Sequence, residues 1–253
     1  MAYTPASPPE AALGSLSQVL EEIRRGRASA RADLVEGLAL SRNIVVQRVA
    51  ELVDRGLIVD GQAGASTGGR PPRQLTFRGN AGHLLVADLG ATSIDVALTT
   101  LGGTILGHRA EAADIATGPE LVLGRVEALF DEVLASHGLA PGALWGIGIG
   151  VPGPVEVRSG RPVSPPIMPG WDGYAVRERF KARFDAPVGV DNDVNVLALG
   201  EWRAGVATEH DNVIVVKVGT GIGAGIISDG RLHRGAQGAA GDVGHIQISD
   251  DAR

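Results

Sequence analysis

Two periodicities divide this chain near residue 81, and one layer of secondary structure cannot accommodate both. Before that point apolar residues recur at three- and four-residue spacing, as on one face of a helix: Leu16, Val19, Leu20 and Ile23, then Val45, Val49, Leu52 and Val53. From residue 83 the texture changes to short apolar runs at 84–87, 94–98, 145–150, 188–190, 213–218 and 223–227, with a further turn into a strand near 105. Short Val- and Ile-rich runs bounded by glycine read as buried strands. Amphipathic stretches at 120–136, 175–184 and 194–203 read as helices between them. The order predicts an α/β protein with a mixed sheet and a second lobe opening near residue 211. Residues 1–12, rich in Pro, Ala and Ser, read as a disordered tail, 13–80 as one domain, and 81–253 as another, split into lobes 81–208 and 209–253.

Composition narrows the classes. The 44% of hydrophobic residues can build real cores, and 37 glycines with only 4% aromatics suit tight turns between strands. A net charge of −6 excludes a chain that binds polyanions over its whole surface. Any nucleic-acid contact must be local, and Arg42, Arg48, Arg70, Arg73 and Arg78 form such a patch. With no cysteine, disulfides and thiolate metal sites within this sequence are excluded, which fits a reducing compartment. No apolar run approaches the ~18 residues of a membrane span, and the first residues lack the basic and apolar regions of a signal peptide. The expectation is a cytoplasmic protein.

In the first domain a short helix at 29–38 places Ala32 and Leu34-Val35 inward, Ser41 caps a third helix, and Gly56 stops it. Residues 57–59 and 75–77 read as paired strands around Gly64-Ala65-Ser66-Thr67-Gly68-Gly69-Arg70-Pro71-Pro72, a wing-like loop. This is the plan of a winged helix-turn-helix, whose last helix enters a major groove. Asn43 and Gln47, opposite the apolar face, can bond adenine, and Arg42 and Arg48 can reach phosphate or guanine. Ile44 and Val46 can meet thymine methyls, while Arg70 and Arg73 can enter a minor groove or clamp phosphate. The alternative is a three-helix dimerisation or linker module.

In the second domain, Asp88-Leu89-Gly90-Ala91-Thr92-Ser93 reads as a phosphate loop between strands, with Asp88 placed to orient magnesium, although turns alone often need Asp and Gly. Gly219-Thr220-Gly221-Ile222-Gly223-Ala224-Gly225 is a stronger signal, because each glycine weakens a strand. It joins two strands and does not follow the strand-to-helix pattern of a dinucleotide fingerprint, which counts against that reading. Asn192-Asp193 opens a helix: Asp193 can take a proton from a hydroxyl attacking a phosphate, or Asp191 and Asn192 can simply cap the helix. Asp242 and His245 can hold vicinal sugar hydroxyls.

Residues 88–92, Pro152-Gly153-Pro154, Pro169-Gly170-Trp171, Asn192-Asp193, 219–225 and 241–245 resemble, in order and spacing, the ROK family of repressors, open reading frames and sugar kinases. Arg31-Ala32-Asp33-Leu34, Leu40-Ser41-Arg42-Asn43 and Thr67-Gly68-Gly69-Arg70-Pro71-Pro72 resemble the DNA-binding domain of its regulator branch. The resemblance implies an actin-like (ribonuclease H-like) fold with an incomplete second lobe. It implies a sugar contacting Gly153, Asn192, Asp193, Asp242 and His245, and nucleotide phosphates on Asp88, Gly90, Thr92, Gly219, Thr220, Gly221 and Gly223. The implied cofactors are ATP with magnesium, at a vestigial site, and a structural zinc for which His245 is the matching ligand without its cysteine partners.

The departures point away from catalysis. Ile167 stands where the kinases favour Asn, Asp242 where they favour Glu, and Ala91-Thr92-Ser93 where they favour Gly-Thr-Lys. In the helix-turn-helix, Ala39 replaces the usual Gly before Leu-Ser, leaving Gly37 to supply the bend. The missing cysteine cluster and closing helices read as truncation, the alternative being a region rebuilt by a partner, with apolar strand surface left exposed after residue 208. The expected function is a sugar-responsive transcriptional regulator, a repressor of carbohydrate genes, with a vestigial base at Asp193. Its expected partners are operator DNA, a sugar or sugar phosphate effector, and a second copy of the full-length chain. The alternatives are an ATP-dependent carbohydrate kinase with an added DNA-binding domain, and a protein-binding regulator that has lost its sugar.

Overall fold

The computed structural model describes residues 10–63, 73–236 and 238–245, which fall into two units, 1–81 and 82–253. In the first unit α1 (Glu10–Arg24), α2 (Arg31–Leu38) and α3 (Arg42–Asp54) are followed by β1 (Ile58–Ala63) and β2 (Arg73–Phe77), an antiparallel pair. Leu16, Val19 and Ile23 of α1, Leu34 of α2, and Val45, Val49 and Leu52 of α3 close one core with Ile58 and Leu75 of the hairpin. That is the three-and-four spacing read from the sequence, with one correction: Val53 is 36% exposed. A second correction is that α1 begins at Glu10, inside the segment read as tail. The wing residues 64–72, Arg70 among them, lie outside the described residues.

Local chemistry sets the helix ends. Asp33 reaches back to accept hydrogen bonds from the Ser29 and Ala30 amides at 2.8 and 2.9 Å, and these bonds lower its carboxyl pKa. Ser41 Oγ accepts from the Ile44 amide at 3.3 Å and caps α3. The turn between α2 and α3 differs from expectation. Gly37 lies within α2, and Ala39 itself turns left-handed at φ 51°. A side chain in that conformation costs about 1–2 kcal/mol.

The second unit opens with β3 (His83–Leu89), β4 (Ser93–Thr100) and β5 (Ile105–Ala112), an antiparallel meander. After α4 (Pro119–Ser136), β6 (Leu144–Val151) returns parallel to β3. Two short strands, β7 (Val155–Glu156) and β8 (Arg161–Pro162), pair with each other, and α5 (Val176–Phe184) leads to β9 (Val188–Asn192), parallel to β6. The sheet order is β5-β4-β3-β6-β9. Leu85, Leu89, Val96, Leu98 and Ile149 of the sheet pack with Leu123, Val126 and Phe130 of α4 and with Phe180 and Phe184 of α5. Phe130 meets both α5 rings edge-on at 5.9 Å.

The helix α6 (Asp193–Ala204) follows β9, and then β10 (Val213–Val218), β11 (Ile222–Ser228) and β12 (Arg231–His233) form a separate antiparallel sheet. α6 packs on β10 and β11 as well as on β6 and β9, so it joins the two lobes. Glycine makes that approach possible. A Cβ on Gly225 would collide with Ala198 and lie 2.6 Å from the Val194 carbonyl oxygen, and one on Gly223 would lie 2.9 Å from Val194 Cγ2. The opposite face of this sheet carries exposed Ile214, Val216 and Val218, the apolar surface expected after residue 208. Among the described residues no helix is long and apolar enough to cross a membrane.

Candidate functional site

The outward face of α3 presents Arg42, Asn43 and Gln47, all exposed, with Ile44 and Val46 between them. Asn43 and Gln47 are one turn apart on the same side, near the capped N-terminus, where a recognition helix carries its base-reading residues. Arg48 is a correction. Its Nε donates to Ser15 Oγ at 2.9 Å and its Nη1 to Glu51 at 3.1 Å, and the side chain is only 14% exposed. It braces α3 against α1 instead of facing outward. Arg73 begins β2, but its side chain, like the whole of Arg70, lies outside the described residues.

The second unit contains a cavity of about 400 Å³ between its two lobes. Of the residues the sequence assigned to sugar, Gly153, Asn192, Asp193 and Asp242 line it. Of those assigned to phosphate, Gly90, Thr92, Gly219, Thr220, Gly221 and Gly223 line it. The fold brings them together by ending β3, β6 and β9 at one edge and swinging β10 and β11 over it from α6. The first loop is a tight turn closed by Gly90 N–H donating to the Ser93 carbonyl at 2.9 Å, and Ala113 and Ile115 amides bind the Thr92 and Ala91 carbonyls. The second turn is closed by Gly219 N–H donating to the Gly221 carbonyl at 2.9 Å.

The alternate glycines divide into two kinds. Gly219 and Gly221 have nothing within 4 Å of a would-be Cβ, so their backbone stands bare to the cavity. Gly223 and Gly225 are packing glycines, demanded by α6. The bare loop fits a phosphate ligand, which needs close approach of backbone N–H groups. The zinc implied by the resemblance needs thiolates that these 253 residues do not hold, and the side chain of His245 lies outside the described residues.

At the β9–α6 junction three consecutive polar side chains take three tasks. Asn192 caps α6, its Oδ1 accepting from the Val194 and Asn195 amides at 3.0 and 3.2 Å, while its Nδ2 donates to the Gly153 carbonyl at 2.9 Å. Both the capping and the site readings of Asn192 thus fall on one residue. Asp191, 8% exposed, accepts from Arg234 Nε at 2.8 Å, from Asn195 Nδ2 at 3.1 Å and from the Asn192 amide at 2.8 Å, and its Oδ2 is ion-paired with Arg234 Nη2 at 2.7 Å. Asp193 Oδ2 is held by Lys217 Nζ at 2.7 Å. Asp88 lies beside this cluster. A Cβ on Gly150 would sit 3.2 Å from Asp88 Oδ1 and 3.4 Å from Asp193 Cα, so a side chain there would crowd Asp88, and both residues lie close to β6.

Charge follows from the geometry. Burial raises the Asp88 carboxyl pKa; Lys217 opposes this, and the Asp193 and Asp95 carboxylates add to it. Burial works against the Lys217 ammonium, but the hydrogen bond and charge of Asp193, together with Asp88, raise its pKa on balance. Lys217, Arg234 and Gly150 were not picked out by sequence reasoning. The signal for Lys217 was a charge inside the apolar run of β10; Arg234 carried none, because its partner lies 43 residues away.

Ile167 lines the cavity beside Pro166 and is 44% exposed. Farther along the same segment Trp171 is fully buried, and its Nε1 donates to the Ile115 carbonyl at 3.2 Å.

A "Putative xylose repressor" from Caldicellulosiruptor sp. (strain Rt8B.4) is 34% identical over 230 residues, covering 91% of this chain and 57% of that protein. A solved ROK family transcriptional regulator, a homologue of the E. coli Mlc protein, superposes with a TM-score of 0.79 at 26% identity, over 96% of this chain and 61% of the other. A ROK family glucokinase from Streptomyces griseus, solved with glucose and AMPPNP, gives a TM-score of 0.59 at 31% identity over 67% of this chain and 52% of its own. The chain therefore spans less than two thirds of each of these proteins. The regulator matches along both units, whereas the kinase matches only about two thirds of the chain. Residues 85–253 match the ROK family over more than half of the sequence, and the chain belongs to that family.

Proposed function

We propose that this protein is a sugar-responsive transcriptional repressor of carbohydrate genes: α3 reads operator DNA, and the cavity of the second unit senses a sugar. The observation that carries the reading is the coexistence, in one chain, of an exposed Asn43/Gln47 helix face and a kinase-like cavity with Ile167 in its lining. The named relatives support it, since a putative xylose repressor and a ROK transcriptional regulator match along more than nine tenths of the chain. Sugar occupancy biases closure of the two lobes, and the closure changes DNA affinity. Such coupling is reciprocal: a sugar that weakens DNA binding by some factor is itself bound more weakly, by that factor, in the DNA complex. Action on DNA places the protein in the cytoplasm.

A competition shift assay with the gene's own upstream DNA against random DNA tests the first half, and addition of D-xylose or D-glucose tests the second. Preference for the upstream DNA, relieved by one sugar, is expected. No preference for that DNA overturns the reading. The kinase reading has its own test, ATP consumption over a panel of sugars. Turnover near the ~10 per second of ordinary enzymes, abolished in Asp193→Asn, would establish a kinase instead.

A further inference from the structure

We propose that Lys217 is an effector-contact residue that, paired with Asp193, grips two adjacent hydroxyls of a neutral sugar. The inference rests on the sugar-sensing reading above and names the chemistry of the ligand at that site. Lys217 lines the cavity with its side chain 36% exposed, and its partner Asp193 is 11% exposed. The ammonium carries three protons and spends one on Asp193 Oδ2 at 2.7 Å, so it keeps donors for a ligand. Asp193 Oδ1 receives the Val194 amide at 2.9 Å and retains acceptor capacity, as does Oδ2. A donor and an acceptor so close, both charged, match a vicinal diol: one hydroxyl accepts from the ammonium while its neighbour donates to the carboxylate.

The charge balance selects the class of sugar. Among the described residues lining the cavity, Asp193 stands with the ammonium of Lys217, and the Asp88 carboxylate, which interacts with both, lies beside them. A phosphate or carboxylate carried on the sugar at this dyad, away from the Gly219–Gly221 loop, would bring further negative charge against the Asp193 and Asp88 carboxylates. The residue type fits as well. The chain uses Lys at positions 181 and 217 alone, and at 217 a compact ammonium leaves room for a ligand that a guanidinium fork, matched to a carboxylate in two bonds, would occupy.

A purely structural role, tying β10 to α6, is the competing explanation, and the experiment separates the two. Binding of D-xylose, D-glucose and their monodeoxy analogues to the 253-residue chain is measured by titration calorimetry, for the native protein and for Lys217→Met and Lys217→Gln. Melting curves record whether each variant is folded. In the native protein, removal of either of two adjacent hydroxyls should weaken binding about ten- to hundredfold, the loss of a charge-assisted hydrogen bond. In both variants the parent sugar should weaken by a similar factor, and the hydroxyl that faced Lys217 should cease to matter. Equal weakening of parent and analogues, or no weakening, overturns the proposal and leaves the sensing reading standing. Tighter binding of glucose 6-phosphate than of glucose overturns the neutral-ligand part. Failure of the native chain to bind any of these sugars counts against the sensing reading itself.

Discussion

Arg234 offers the sharpest test of how the second lobe is held to the first. Its guanidinium places Nε and Nη2 at 2.8 and 2.7 Å from Asp191 Oδ2, and Asp191 is 8% exposed at the end of β9. Arg234→Met removes one partner and leaves a carboxylate with, among the described residues, the Asn192 amide and Asn195 Nδ2 as donors. Breaking a buried ion pair from one side costs about 3–5 kcal/mol. The Arg234 side chain is 34% exposed, so solvent already screens part of the pair and about 2–3 kcal/mol is expected. For a domain of this size each kcal/mol lowers the melting temperature by roughly 2–4 °C, so calorimetry of the full chain should show a fall of about 4–12 °C in the transition of the second unit. Hydrogen exchange should locate the loss at the β9–α6 junction and at β12. The double variant Asp191→Asn with Arg234→Met should recover part of the loss, because a neutral amide carries no uncompensated charge. A fall below about 2 °C, or a double variant less stable than Arg234→Met, would show that the pair does not hold the lobe.

Three further outcomes follow from the same geometry. Ala39→Gly should raise the stability of the first unit by about 1 kcal/mol, since glycine relieves a left-handed φ of 51°, and an unchanged urea midpoint would refute the strain. Asp88→Asn should stabilise the second unit at neutral pH. Asp88's pKa is raised in the folded state, so that state holds more protons than the unfolded chain between the ordinary carboxyl range and the raised value, and native stability falls as pH rises through that window. The advantage of the variant should therefore shrink as pH is lowered to the ordinary carboxyl range, and an advantage independent of pH would refute it. Gln47→Ala should cost about 1–3 kcal/mol at one base position of the operator and little at the others, measured over single-base substitutions of the bound DNA.

Periodicity made most of the fold legible. The faces of α1 and α3, the meander from β3 to β5, and the helices α4 to α6 all appear as spacing in the sequence, because each buries a continuous side against a neighbour. β7, β8 and β12 were not legible, because strands of two or three residues carry too few side chains for a pattern. The turn before α3 was misread for a different reason. Gly37 looked like the bend because glycine adopts positive φ freely, but packing of α2 against α3 fixed the turn two residues later and placed the strain on Ala39.

The cavity residues were legible to the extent that their roles are local. Asn192 caps the helix it precedes, and Gly219 and Gly221 bare the backbone of a turn, and both follow from near neighbours in sequence. What stayed hidden depends on contacts between distant segments. Gly223 and Gly225 looked identical to the loop glycines, yet α6 requires them, so one run of alternating glycines serves two physical ends. Arg48 looked like a fourth reading residue, since residue type and helical position alone suggest a phosphate contact, but Ser15 on another helix engages it. Lys217 and Asp193 show the same limit within the site. Each is ambiguous alone, a stray charge in a strand and a capping-turn carboxylate. Only the crossing of β10 over the start of α6 brings them to 2.7 Å and turns two ambiguous residues into one dipolar element facing the cavity.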